Sequence, residues 1–337
     1  MTVLIRPARI DDLQAIYEMA KLTGGGFTNL PADRDALSAK LARSASAFAS
    51  TEEMPNDSIY LLVLEDRATG RIGGTAQIFS SIGTHAPFYS YRRGILSQTS
   101  RELGRTFRAE TLALTTDLER ASEVGGLFLH PRERAGGLGL LLARSRYLFI
   151  ARHRARFGSR VIAELRGVID EAGGSPFWDG LAGKFFSMSF QEADAFNAVN
   201  GHQFIADLMP KHPIYMAMLP DSARHVIGLP HPNGRAAMRM LESEGFTQGD
   251  YVDIFDGGPT MIAQTDAIRS IVRAREARVG ELAGGGVQSL VTAGRLGTFR
   301  VSFGFVADGE DGSVSLDQDT AALLGIAVGD EVLHVPR

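Results

Sequence analysis

Gly126–Ala151, GLFLHPRERAGGLGLLLARSRYLFIA, is the stretch whose reading decides the fold. It reads as an apolar strand through Leu127–Leu129, a turn, a glycine-rich loop and a long amphipathic helix. Within it, Arg134-x-x-Gly137-x-Gly139 brackets the start of the helix. Such a loop leaves backbone N–H groups without intrahelical partners at the positive end of the helix dipole. Glycine lets the phosphates of another molecule approach that backbone closely. The motif is neither Gly-x-Gly-x-x-Gly nor a Walker loop, since no Gly-Lys-Ser/Thr follows. A helix start that needs glycine for close packing would read the same way, so the motif alone leaves both open.

The 337 residues exceed one average domain, which suggests one large domain with an appendage. A hydrophobic content of 44% with 22% charged residues is that of a globular chain with a sizeable core. A net charge of −4 argues against a general nucleic-acid binder. The absence of cysteine excludes disulfides, thiolate catalysis and thiolate-bound metal, and fits a reducing compartment. No apolar run reaches transmembrane length and MTVLIRPARIDD lacks the apolar core of a signal peptide, so no membrane partner and a cytoplasmic location are expected.

Working outward, Val3–Arg6 reads as a strand, and Asp11 and Asp12 as caps of a helix to about Lys21. Lys21–Pro31, with Gly24-Gly25-Gly26, suits either a loop over an active site or a flexible linker. Arg34–Ala49 has helical spacing, and Ile59–Leu64 with Ile72–Phe79 forms a hairpin about Asp66–Gly70. Phe88–Arg93 and Leu112–Leu118 are weaker strand signals, and Val161–Arg166 is a buried strand. Residues 170–230 have little periodicity. Helix Gly234–Glu244, strand Tyr251–Phe255, a charged helix over Asp266–Arg278 and a linker at Glu281–Gly286 follow, and Leu290–Arg337 is rich in short β runs. The mixed order suits a central sheet covered by helices.

His231 precedes the helix at Gly234, where the dipole disfavours an imidazolium and a neutral ring can exchange protons with an amine or a thiolate. A surface histidine beside a turn proline is the plainer alternative. Glu123, just before the strand carrying Leu127, is either a general base or a solvated strand-edge carboxylate. In Ala163-Glu164-Leu165-Arg166-Gly167, the two charges on an apolar strand fit a buried ion pair or an amino-acid site with an arginine clamp. No metal-ligand spacing occurs and no Gly-x-Ser-x-Gly is present, so neither a metal nor a serine hydrolase is expected.

The glycine loop after a strand resembles the acyl-CoA pyrophosphate loop of the GNAT N-acyltransferases. Asn233-x-x-Ala236 with Leu241-Glu242-x-x-Gly245-Phe246 resembles their second acyl-CoA segment. One departure is Leu241, where many members carry a tyrosine that protonates the leaving sulfur; His231 is the natural substitute. Longer strings, Ser175-Pro176-Phe177-Trp178, Lys184–Met188, Ala206–Tyr215 (ADLMPKHPIY), His231-Pro232 and Tyr251–Thr260 (YVDIFDGGPT), resemble the arginine N-succinyltransferase family from the amino terminus to about Arg278.

That resemblance implies a GNAT-like α/β acyltransferase fold over residues 1–280, with an insertion at about 170–230 and a small β-rich subdomain at 287–337. It implies transfer of succinyl from succinyl-CoA, a co-substrate rather than a bound cofactor, to the α-amino group of L-arginine, or of L-ornithine. His231 would be the proton donor and Glu123 the base. Leu127, Leu129, Arg134, Gly137, Gly139 and Asn233 would hold the CoA. Arg166 or Lys211 would meet the succinyl carboxylate, and Glu164, Asp253 or Asp256 the guanidinium. A homo-oligomer, or a heteromer with a paralogous subunit, is also implied, as is the alternative of a noncatalytic partner subunit.

Overall fold

A computed structural model describes residues 2–23, 29–201, 203–310 and 312–337. The triple glycine of the Lys21–Pro31 loop therefore lies outside the described residues. In chain order come β1 (Val3–Pro7), α1 (Leu13–Lys21), α2 (Arg34–Ala49), β2 (Ile59–Asp66), β3 (Arg71–Phe79), β4 (Ser90–Ser100), β5 (Arg105–Thr115), β6 (Ser122–Leu129) and α3 (Leu138–Arg152). β7 (Arg160–Glu164) leads into the short helices α4 (Pro176–Gly180), α5 (Gly183–Phe186), α6 (Phe190–Asn200) and α7 (Gln203–Leu208), then β8 (Ile214–Tyr215) and α8 (Asp221–Arg224). α9 (Arg235–Ser243), β9 (Thr247–Val252), β10 (Pro259–Gln264) and α10 (Arg269–Arg273) follow. The chain finishes with β11 (Arg275–Leu282), β12 (Val287–Ala293), β13 (Arg300–Asp308), β14 (Val314–Leu316), α11 (Gln318–Leu324) and β15 (Glu331–Pro336). These divide into two compact units, Met1–Ser81 with Ser122–Val161 and Gln264–Arg337, and Ile82–Ala121 with Ile162–Ala263.

In the first unit β1, β2, β3 and β6 pair antiparallel in that order. Helices α1 and α2 lay Ile16, Met19, Leu37 and Leu41 against Leu61 and Val63 of β2. Asp33 starts α2 as a true cap, its Oδ1 accepting the Ala36 N–H at 2.7 Å. Asp33→Ala is expected to cost about 1 kcal/mol, read as a lower urea midpoint at unchanged m. An unchanged midpoint would remove the cap from the account.

Asp12 does not cap α1 as the sequence suggested. Its carboxylate instead takes both ends of the buried Arg6 guanidinium, at 2.7 and 2.9 Å, and the Arg9 N–H. The Arg6 Nε goes to Glu65, so the buried cation has two carboxylate partners, as desolvated charge requires.

Helix α3 also departs from expectation: it is buried on every side from Leu141 to Ile150 rather than amphipathic. It contacts β3 and β6 on one side and β12, β13 and α10 on another. Two of its buried arginines find neutral hydrogen-bond acceptors. Arg144 donates to Ser270 Oγ (2.7 Å) and the Pro336 carbonyl (3.1 Å), and Arg146 to the Ala143 carbonyl.

The charged helix expected over Asp266–Arg278 is only α10; Arg275 onward is strand. The alternation of Ala277 and Val279 with outward charges has period two, which the high charge content disguised. The five C-terminal strands close into a barrel, β12–β15–β11–β14–β13–β12. All pairs are antiparallel except β11 with β14.

The second unit holds the long hairpin β4–β5, in register from Ser90 opposite Thr115 to Ser100 opposite Arg105. Its apolar centre explains the missing periodicity of residues 170–230. Several helices of one or two turns surround Trp178, whose ring stacks between Phe186 (5.7 Å) and Phe255 (5.6 Å). The Trp178 indole donates to the Met188 carbonyl, and Ser175 caps α4 through the Trp178 N–H. Among the described residues no helix is long and apolar enough to cross a membrane.

Candidate active site

In the first unit the decisive feature is a bulge in β6. Thr75 faces Phe128, but Gln77 faces Gly125, so β6 carries one residue more than β3. Gly126 takes φ +54°, and a Cβ there would lie 2.5 Å from Gln77 Nε2, so only glycine fits. A bulge takes backbone polar groups out of the ladder, here beside the half-buried Leu127.

Glu123 lies inside β6, two residues before the bulge, and is only 6% exposed. This decides against a solvated strand-edge carboxylate. Asn29 donates to its Oε1 at 3.2 Å. Lys40, from α2, donates to the Asn29 carbonyl (2.6 Å) and Gln77 Oε1 (3.3 Å), and Gln77 Nε2 donates to the same Asn29 carbonyl (2.6 Å). Burial pushes the Glu123 carboxyl up to about 7, against the opposing pull of Asn29 and Lys40. Burial likewise brings the Lys40 ammonium down to about 8. A carboxyl poised near neutrality is suited to take a proton from an ammonium.

After β6 the chain turns through His130–Glu133 into Gly136 (φ +63°) and Gly137 (φ +82°), the residue before α3. The first bond back into the helix runs from the Leu141 N–H to the Gly137 carbonyl. The Leu138 N–H is taken by the Ala135 carbonyl, which leaves the Gly139 and Leu140 N–H groups of the first turn for an anion at a glycine-lined approach. Arg134 is exposed beside this loop, its Nε 3.5 Å from the Leu129 carbonyl.

In the second unit the strand expected over Tyr251–Phe255 stops at Val252, and Asp253–Gly258 folds into a tight loop between β9 and β10. Asp253 Oδ1 accepts the N–H groups of Phe255 (2.7 Å) and Asp256 (2.8 Å). The buried Asp256 accepts Gly167 N–H (2.7 Å) and Gly258 N–H (2.8 Å). Burial and the neighbouring Asp253 carboxylate hold the Asp256 carboxyl well above the usual range. The Gly257 carbonyl takes the Gly228 N–H, and the Arg166 carbonyl takes the His231 N–H at 2.7 Å. Asp256 thus fixes the Gly167 turn that carries Arg166 and His231. Asp256→Ala is expected to lose about 2 kcal/mol in thermal unfolding, and Asp256→Asn less, because one acceptor survives. Equal losses would mean that the acceptor plays no part.

His231 is half-buried, and its Nδ1 accepts the Asn233 N–H at 3.2 Å. With that lone pair engaged, the hydrogen-bond network assigns the ring proton to Nε2. Desolvation and the Arg166 charge lower its pKa, so the ring is neutral at ordinary pH. Arg166 has its Nε buried with no hydrogen-bond partner among the described residues. Glu164 is half-buried at the end of β7. Lys211 is occupied by the Ala206 carbonyl. His231, Asn233 and Arg166 therefore come together in one unit, as do Glu123, Leu127, Leu129 and the glycine loop in the other. Asn29, Lys40 and Gln77 escaped the sequence reading. Gln77, a lone amide in an apolar strand, was the available signal.

A bulged strand with a buried carboxyl, followed by a glycine-capped helix, suits an N-acyltransferase of mixed α/β fold. The profile of the family described as arginine N-succinyltransferase beta subunit matches residues 3–270, and that of its C-terminal domain residues 272–336. The chain belongs to this family. It is 43% identical over 279 residues to an arginine N-succinyltransferase from Salmonella schwarzengrund, covering 82% of this chain and 80% of the relative. It is 44% identical to an arginine N-succinyltransferase subunit beta from Pseudomonas aeruginosa, covering 81% and 80%. The solved arginine/ornithine succinyltransferase subunit AI of Pseudomonas aeruginosa superposes with a TM-score of 0.90 at 33% identity, over 99% of this chain and 98% of that one.

Proposed function

We propose that the chain transfers the succinyl group of succinyl-CoA to the α-amino group of L-arginine. The observation that carries this reading is the 43% identity to a relative named for that reaction, over 82% of this chain and 80% of the relative. The N–H groups opening α3, with Gly137, Gly139 and Arg134, hold the CoA diphosphate. Backbone groups freed at the β6 bulge, flanked by Leu127 and Leu129, hold the pantetheine arm, and Asn233 assists. Positioning of this kind can supply about 7–11 kcal/mol at best.

Glu123 takes a proton from the substrate ammonium, and the free amine attacks the thioester carbonyl. The C–S bond breaks with its electron pair passing to sulfur. His231 directs Nε2–H at that sulfur as charge develops, which favours thiolate departure; the second amine proton, lost as the amide forms, passes to the thiolate or to solvent, and the ring stays neutral throughout. No acyl-enzyme is formed. Arg166, whose Nε has no hydrogen-bond partner among the described residues, binds a substrate carboxylate, and it fits this role better than Lys211 does. Glu164 and Asp253 are the carboxylates that receive the guanidinium. The protein acts in the cytoplasm as a homo-oligomer or beside a paralogous subunit.

Ornithine is the second reading, because the solved relative of TM-score 0.90 is named for both amino acids. Competition settles the acceptor and the donor together. Equimolar arginine and ornithine, offered with equimolar succinyl-CoA and acetyl-CoA, are expected to give chiefly N-succinylarginine by mass spectrometry. A dominant acetylated product would overturn the donor, and a dominant ornithine product the acceptor.

A further inference from the structure

The C-terminal barrel carries polar chemistry that the proposed reaction does not use. Its interior is filled by Val279, Val291, Val306 and Val332, with Ala321 and Leu324 of α11 in the same cluster. Strand alternation places the next inward positions at Arg275 on β11, Ser289 on β12, Asp308 on β13 and His334 on β15. Arg275 and His334 are directly paired across the β11–β15 ladder. A small barrel ordinarily fills such positions with apolar side chains, or opens there to hold a ligand.

Here it opens. A cavity of about 670 Å³ lies at this mouth, lined among others by Arg273, Arg275, Asp308 and His334, with Val272 and Val287 at its rim. His334 is only 6% exposed, yet its Nδ1 is buried with no hydrogen-bond partner among the described residues. Buried ring nitrogens are seldom left so, and His334 is among the residues that line the cavity. Among the described residues neither arginine, nor Asp308, is in an ion pair. Burial lowers the His334 pKa, with Asp308 opposing the effect and Arg275 adding to it, so the ring is neutral. The mouth thus brings two forked cations and a carboxylate to one cavity.

We propose that the mouth of the C-terminal barrel binds a free α-amino acid, its carboxylate held by Arg273 and Arg275 and its ammonium by Asp308, with His334 in the wall beside it. A plain carboxylate would leave Asp308 unmet, and a plain amine would leave the guanidiniums unmet. None of the residues lining it is among the acyl-transfer residues named above, and it does not depend on the identity of their substrates.

Histidine-ring ¹H–¹³C NMR on the full-length protein tests it, with the His334 signal identified through His334→Asn and, should that variant not fold, by through-bond assignment. The probes are pools covering the twenty standard L-amino acids, with succinate and ethylamine as single-charge controls. The His334 signal is expected to shift saturably with at least one amino acid and with neither control. Arg275→Gln and Asp308→Asn, both at exposed positions, are each expected to weaken that binding at least 10-fold. The His231 signal reports occupancy of the reaction site separately. No His334 response to any pool, an equal response to succinate or ethylamine, or unchanged affinity in both variants would overturn the proposal.

Discussion

His231→Ala is expected to lower kcat by about 10²–10⁴-fold with little change in KM for either substrate. The reasoning starts from the ring's contacts. The Arg166 carbonyl fixes the His231 backbone, and the Asn233 N–H engages Nδ1, leaving one proton, on Nε2, free to act. Its target is charge that appears on sulfur only as the thioester breaks. An interaction made only in the transition state lowers kcat and kcat/KM together. The lowered pKa also means that the ring has no charge to lose near neutrality, so His231 should contribute no acid limb in that range. A mutant with raised KM and unchanged kcat would make His231 a binding residue instead.

Glu123→Gln is expected to cost a similar factor, about 10²–10⁴ in kcat/KM, and to change the shape of the pH profile. In the native protein the rate should rise with pH through about 7 as the buried carboxyl loses its proton, and the variant should lack that limb. The same shift sets a stability signature. The folded pKa lies above its ordinary 4.5, so the group's contribution to stability is present below 4.5 and lost as pH rises through about 7. Glu123→Gln should therefore gain on the native protein in denaturant midpoint above that pH. A variant with an intact pH limb would assign the base elsewhere, whatever its stability.

Much of this was legible in the sequence because it lies in local pattern. The hairpin of β2 and β3, the glycine-capped α3 and the Asn233 segment follow from periodicity and turn residues within short windows. What escaped is non-local. The burial of Glu123 depends on Asn29, Lys40 and Gln77, which lie on other elements. Lys40 reads as an ordinary surface lysine of α2 until the fold brings it to β3. Asp12 reads as a cap because nothing local reveals that Arg6 would take its carboxylate. The barrel start at Arg275 was hidden by charge, since Arg-Glu-Ala-Arg-Val satisfies helix and strand patterns alike over so few residues. Asp256, read as a receptor for guanidinium, turns its oxygens to Gly167 and Gly258 because the loop closes on itself.

The central claim is that this chain by itself carries the acyl-transfer chemistry of its family, with arginine as acceptor. Release of free thiol from succinyl-CoA by the purified protein, with and without L-arginine, tests it most directly. The account predicts release that depends on arginine and matches N-succinylarginine formed mole for mole. CoA binding without arginine-dependent release would contradict it, and would make the chain a partner subunit rather than the catalyst.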